Sequence, residues 1–272
     1  MSIVRVVSAA WSRHHLQRMR RAAAIHNPQI ARAMEDVPAL LQEFWRESGP
    51  REFPGMSVSA KTWAWSLRGL LEYFHLAAKS SAQTILPSRA ADSVWHAWLA
   101  FDPKGLERFQ RRYFSKPLSH VPRENMPDTT STHTALPRTW ALASQYEGLP
   151  LTKGQPPFLF TIDREVNMPT GWDYQHNKKT RRFEVGTIEN GKKTAYSEMP
   201  LLTVASFVTL GYLSPSMAAE WQAAQMVAAS KSTTPSGGGG CGIGCGIGMP
   251  MDFGSDSSSS SDGGCGGGCG GD

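Results

Sequence analysis

The chain holds four cysteines in 272 residues, and none precedes Cys241. Everything before that point cannot be cross-linked and must be held by packing, which suits a reducing compartment, so the cytoplasm is the expected location. Long apolar runs are also missing: nothing approaches the roughly 18 consecutive apolar residues of a membrane helix. The nearest stretch, 201–213, is broken by Thr203, Ser206, Thr209 and Gly211 and reads as a buried segment, so a soluble protein with no membrane span is expected. The N-terminus shows no basic region followed by an apolar run and a small-residue cleavage site, which argues against a secretory signal. Acids are absent from 1–34, where Arg5, Arg13, Arg18, Arg20, Arg21 and Arg32 give a bias shared with organelle transit peptides. Also missing are a Gly-x-Ser-x-Gly elbow, a phosphate loop ending in Gly-Lys-Ser/Thr and a His-Glu-x-x-His helix. The Gly-x-Gly pieces near the C-terminus neither follow a strand nor open a helix, which argues against a dinucleotide site.

What is present is apolar and aromatic. Hydrophobic residues make up 40% of the chain, with nine Trp and eleven Phe, enough large side chains to fill a core. The formal charge is +5, but 237–272 hold Asp252, Asp256, Asp262 and Asp272 and no base. Taking those four from the 23 acids moves the balance of the rest, against 28 bases, from +5 to +9. A basic body attracts anionic partners.

Apolar residues recur three and four apart along several stretches, the spacing that gathers them on one helix face. Val4, Val7 and Trp11 among arginines predict an amphipathic helix over 3–24; Val37, Leu40, Leu41, Phe44 and Trp45 predict a second over 35–46, stopped by Ser48-Gly49-Pro50. Trp63, Leu67, Leu70, Leu71 and Phe74 give a third over 59–79. Pro87-Ser88 starts a fourth, through Val94, Trp95, Trp98 and Leu99 to Phe101. Asp102-Pro103 starts a fifth, with Asp suited to accept orphan N–H groups, Pro suited to the first turn, and Leu106, Phe109 and Tyr113 on the buried side.

Pro, Thr, Ser and Asp crowd 121–137, which reads as a surface loop and a boundary. A short helix over 138–146 closes at Gly148, and 158–162 reads as a buried strand. Asn190-Gly191 lies between two alternating segments in 181–197 and predicts a hairpin. Ser214-Pro215 opens a last helix over 217–229. From 236 onward Gly and Ser dominate, and so little apolar surface cannot offset chain entropy. The fold class is therefore mainly α, a helical body with a small β-hairpin element and a disordered C-terminal tail. Three segments follow: a helical domain with a Trp-His motif over 1–125, a mixed helix and hairpin region packed on it over 126–235, and the tail over 236–272.

Asp92 and His96 stand four apart on the fourth helix, so the carboxylate can hold one ring nitrogen and leave the other free. His120 follows where the chain returns after the fifth helix. Brought together, His96 and His120 make half of a metal site with Asp92 as ligand or orienter, and zinc is the cofactor such a set suggests. A third histidine would have to be His75 or His133, because Trp98 and Gln110 offer no ligand. The alternative is that both histidines are core residues bonded to backbone carbonyls.

In order, Leu71-Glu72-Tyr73-Phe74, Pro87-Ser88, Ala91-Asp92-Ser93-Val94-Trp95-His96 and Leu118-Ser119-His120-Val121-Pro122 resemble the glycine-rich domain-containing protein family over about residues 37–122. The family pattern is an aromatic helix, an aspartate shortly before Trp-His, and an aromatic helix ending in His-x-Pro. The Gly/Cys tail resembles that of bacterial members. The resemblance implies a fold more than an activity, with links to nucleic-acid binding and stress responses in plant relatives. The chain departs from the pattern at Trp98, where members often carry a second histidine, and lacks a cysteine in the following helix.

Two further features bear on partners. Cys241-x3-Cys245 and Cys265-x3-Cys269 offer four thiolates to zinc or another soft metal, or are incidental to a low-complexity tail. Lys178, Lys179, Arg181, Arg182, Lys192 and Lys193, with Trp172, Tyr174 and Phe183 nearby, combine charges for phosphates with rings for bases, or form a solvated sheet edge. The missing motifs favour a non-catalytic binding or scaffold protein that recognises a protein partner and binds metal. A metal-dependent hydrolase using His96 and His120, and nucleic-acid binding through the basic hairpin, are the alternatives.

Overall fold

A computed structural model describes residues 3–121 and 130–232, which fall in a single compact unit, Met1–Thr234. The tail and its four cysteines lie outside the described residues. The described chain is mainly α with one small antiparallel sheet. In order come α1 (Ile3–His26), α2 (Pro28–Glu35), α3 (Ala39–Glu52), α4 (Ala60–Lys79), α5 (Arg89–Phe101), α6 (Pro103–Phe114), α7 (Thr130–Glu147) and α8 (Ile162–Glu165). Strands β1 (Thr170–Asn177), β2 (Arg182–Glu189), β3 (Lys192–Lys193) and β4 (Ser197–Glu198) follow, then α9 (Val204–Thr209) and α10 (Pro215–Ser232). Among the described residues no helix is long and apolar enough to cross a membrane.

The central element is α4, buried almost continuously from Thr62 to Leu76 and packed against α1, α2, α5, α6 and α7. Ser59 caps its first turn by accepting from the Thr62 N–H at 3.1 Å. Gly69 lets α8 approach: a Cβ there would stand 2.2 Å from Ile162 Cδ1, with Ala91 Cβ of α5 at an ordinary 3.4 Å. Aromatic rings fill the layer between α4, α5 and α6, with Phe74 edge-on to Trp95 at 4.9 Å and Trp98 against Phe109 at 4.6 Å. The indole N–H of buried Trp45 donates to Ser93 Oγ at 2.9 Å, which ties α3 to α5.

Three sequence expectations change. Helix α3 does not stop at Ser48-Gly49-Pro50 but runs on to Glu52, because Pro50 removes only one late donor while the Phe53 N–H still bonds Gly49 C=O at 2.8 Å. Residues 130–137 are helical rather than loop, since Ala135, Leu136, Trp140 and Ala141 form a buried face that overrides Pro137. The apolar run at 158–162 is not a strand. Pro157 opens a 3-10 turn, Phe158–Phe160, which leads into α8, and a short, mostly apolar run of five residues does not discriminate between these outcomes.

The Asn190-Gly191 turn is present, both residues at positive φ (51° and 72°), and joins β2 to β3. The longer partner of β2 is β1, in register from Thr170↔Glu189 to Asn177↔Arg182. Its sequence, Thr-Gly-Trp-Asp-Tyr-Gln-His-Asn, lacks a clean alternation of apolar and polar residues. β1 packs against α5 and α8 and so brings the sheet to the helix that carries Asp92 and His96.

A candidate metal centre in an open cleft

Helix α5 presents Arg89, Asp92 and His96 at spacings of three and seven, one stripe of its surface. The N-terminus of the helix is fixed from outside by Asp163 of α8. Its carboxylate accepts from Ser88 Oγ at 2.7 Å and from the N–H groups of Ala90, Arg89 and Trp172 at 3.0, 3.1 and 3.2 Å. Burial pushes the Asp163 carboxyl upward, while bonds from Ala90, Ser88, Arg89 and Trp172 oppose that push. All four neighbours donate, so the geometry suits the ionised form. Ser88 completes the cap by accepting from the Ala91 N–H at 3.2 Å.

His120 arrives by a different route. Asp102 caps α6, accepting from the Gly105 N–H at 2.8 Å, and Ser115 ends it in the left-handed region at φ 68°. The side chain of buried Gln110 then takes the Leu118 N–H at 3.1 Å, which steers the returning segment back along α5. The His120 ring stands edge-on to Trp95 at 4.6 Å.

The three side chains converge. His96 Nε2 and His120 Nε2 are 3.0 Å apart, His120 Nε2 is 2.9 Å from Asp92 Oδ1, and His96 Nε2 is 3.6 Å from Asp92 Oδ2. On the other side of its ring, His96 Nδ1 bonds Glu52 Oε1, at the end of α3. That bond favours the tautomer whose Nε2 lone pair faces His120. His120 Nε2 then has two close partners, and a single ring proton serves only one of them. A tetrahedral zinc ion with bonds of 2.0–2.1 Å holds its donors about 3.3 Å apart, which the three separations bracket. Asp92, His96 and His120 are the group of possible metal ligands found among the described residues.

Their side chains are partly exposed, 29% for Asp92, 33% for His96 and 12% for His120, and they open on a cleft of about 440 Å³. Tyr73 lines it, with burial as the main influence keeping its phenol protonated and Asp92 adding to it. Volume and mixed lining suit a small molecule.

Other candidates lie elsewhere. His75 is buried, with Asn27 Nδ2 against both ring nitrogens at 3.2 and 3.3 Å, and burial, helped by Lys79, lowers its pKa to about 4. His133 is exposed on α7 and is not part of the cluster. Trp98 turns into the core against Phe109. Cys241, Cys245, Cys265 and Cys269 fall outside the described residues.

The six hairpin cations do not form one patch. Lys178, Lys179 and Arg181 sit at the β1–β2 turn beside α10, with Arg182 next to them in an ion pair to Glu198 at 2.6 Å. Lys192 and Lys193 stand at the far end of β2, about 24 Å away along an eight-residue antiparallel strand. Lys193 is paired with buried Asp173 at 2.7 Å.

Glu52 and Asp163 escape the sequence reading, and Gln110, no ligand, instead holds the backbone at Leu118. Glu52 stands two residues past an apparent helix stop, and Asp163 lies just beyond an apolar run that resembles a strand.

The fold and cluster define a helical protein with a small sheet and a two-histidine, one-carboxylate site open to a cleft. A family model described as UCP032817-like matches residues 53–198, and the chain belongs to that family. The matched span contains Asp92, His96, His120 and Asp163 and begins one residue after Glu52. Comparisons with curated proteins and with solved structures give no match.

Proposed function

We propose that this chain is a zinc-binding protein whose ligands are Asp92, His96 and His120. The observation that carries the reading is the convergence of two Nε2 atoms and one carboxylate within 2.9–3.6 Å, although the residues come from two separate segments. Glu52 on His96 Nδ1 is the outer carboxylate that typically orients a metal-bound imidazole. Three protein ligands with a cleft beside them leave a coordination position for a small molecule, and a zinc ion so held supplies Lewis-acid chemistry. The likeness to glycine-rich domain-containing proteins belongs to this reading, because Tyr73, Asp92, Trp95, His96 and His120 from that pattern all line one cleft. So does a cytoplasmic location, in which the cysteines stay reduced.

The test is zinc content after equilibrium dialysis, measured by elemental analysis on the full chain with its four cysteines changed to serine. One ion per chain is expected, lost in His96→Ala and His120→Ala while both variants keep their helical circular dichroism. An unchanged zinc content in those two variants would return the histidines to packing.

A further inference from the structure

We propose that the ligand of this cleft is a small organic oxyanion, a carboxylate or a phosphate ester, held by Arg89 and Lys116. The inference rests on the zinc reading for the cleft's charge. Glu52 and Asp92 are matched by Arg89 and Lys116 on the lining, so a bound dication leaves the cleft net positive.

Arg89 is the more committed of the two cations. It lies on the stripe of α5 that carries Asp92 and His96, and its guanidinium sits 5.1 Å from the centre of the Trp172 ring while Nη1 donates to Thr170 Oγ1 at 3.2 Å. One N–H is thus used to pin the group over an aromatic face, and the planar fork keeps further donors for a two-oxygen acceptor. Such pre-positioning lowers the entropy lost on binding. Lys116 also lines the cleft, its Nζ 3.5 Å from Ser80 C=O, and precedes His120 by four residues on the same segment. The hydroxyls of Ser81 and Ser119 add neutral donors, while that of Ser80 is already given to Ala82 C=O at 2.7 Å. The helix N-terminus itself is not the anion site, because the Arg89 and Ala90 N–H groups already end on Asp163. Trp172 and Trp95 form apolar walls, so the ligand carries a carbon body as well as a charge.

The experiment is titration calorimetry of the zinc-loaded full chain, in the four-serine background, with benzoate, phenyl phosphate and neutral benzamide at constant ionic strength. Zinc is assayed on every sample. Benzoate or phenyl phosphate binds and benzamide does not; Arg89→Gln and Lys116→Gln each weaken the anion roughly tenfold, the usual weight of a charge-assisted hydrogen bond. Arg89→Lys retains part of the affinity. Lys116 is exposed, so its variant folds even if Arg89→Gln does not. Full zinc content with benzoate, phenyl phosphate and benzamide binding equally, or with Lys116→Gln unaffected, overturns the oxyanion proposal alone. Charge-selective binding in samples that hold no zinc overturns the metal reading instead.

Discussion

Replacing Asp163 with asparagine is the perturbation whose size follows most directly from the structure. Four donors end on its two oxygens: Ser88 Oγ and the Ala90 N–H on Oδ1, the Arg89 and Trp172 N–H groups on Oδ2. Asparagine keeps one acceptor oxygen and turns an NH2 toward the other pair; the less costly orientation faces the NH2 to Ser88, whose hydroxyl can turn to accept from it, and leaves the Ala90 N–H opposed. One unmatched buried donor costs about 1–3 kcal/mol, and the remaining bonds lose their charge assistance, which puts the loss at roughly 2–3 kcal/mol. Water has no easy way in, since Asp163 is 2% exposed and a Cβ on neighbouring Gly171 would already stand 2.4 Å from Oδ2. Ser88→Ala, which removes one capping oxygen, should cost about 1 kcal/mol and serves as the scale. Urea denaturation at pH 7 measures both. A loss under about 1 kcal/mol for Asp163→Asn would mean that the native carboxyl already carries a proton, and the description of α5 as held by a buried anion would fall.

Three more perturbations follow. Glu52→Gln should weaken zinc binding by about 10–100-fold without lowering the melting temperature, read by competition with a chromophoric chelator; unchanged affinity would remove Glu52 from the site. Burial, with Glu72 next in weight, raises the Glu147 carboxyl to about 7, so folding opposes its ionisation. Stability should therefore fall as pH rises from the unfolded carboxylate range to about 7 and then level off. Glu147→Gln still accepts the Phe158 N–H and should flatten that part of the curve; an equally steep fall would assign it to other groups. Gly69→Ala gains helix propensity but drives its methyl into Ile162 Cδ1, for a net loss of about 1 kcal/mol. Adding Ile162→Val, which removes that atom, should recover the loss, and no recovery would place the clash elsewhere.

Much of this architecture could be read from residue spacing, and the gaps have physical causes. Trp63 through Phe74 mark α4 because an isolated stripe has one interpretation, and Ser88 and Asp102 mark helix starts because their side chains do cap. The meeting of His96 and His120 beside Asp92 was foreseeable from an i, i+4 pair and a helix that turns back. Glu52 was not, because Ser48-Gly49-Pro50 resembles a stop, and only packing of Trp45 against Ser93 and Trp63 shows why the helix persists. Asp163 was hidden for the opposite reason. A carboxylate beyond Phe158-Leu159-Phe160 looks like the polar end of a strand, and its role emerges only when α5 is placed against it. The basic hairpin illustrates a third limit: six cations close in sequence are divided between two ends of β2 once the strand is extended.

X-ray absorption at the zinc edge, on the zinc-loaded chain with its four cysteines changed to serine, reads the proposed ligand set itself. Two imidazoles and a carboxylate predict nitrogen or oxygen neighbours at about 2.0–2.1 Å with outer-ring scattering, reduced in His120→Ala. A spectrum without imidazole scattering, or one that His120→Ala leaves unchanged, would contradict it.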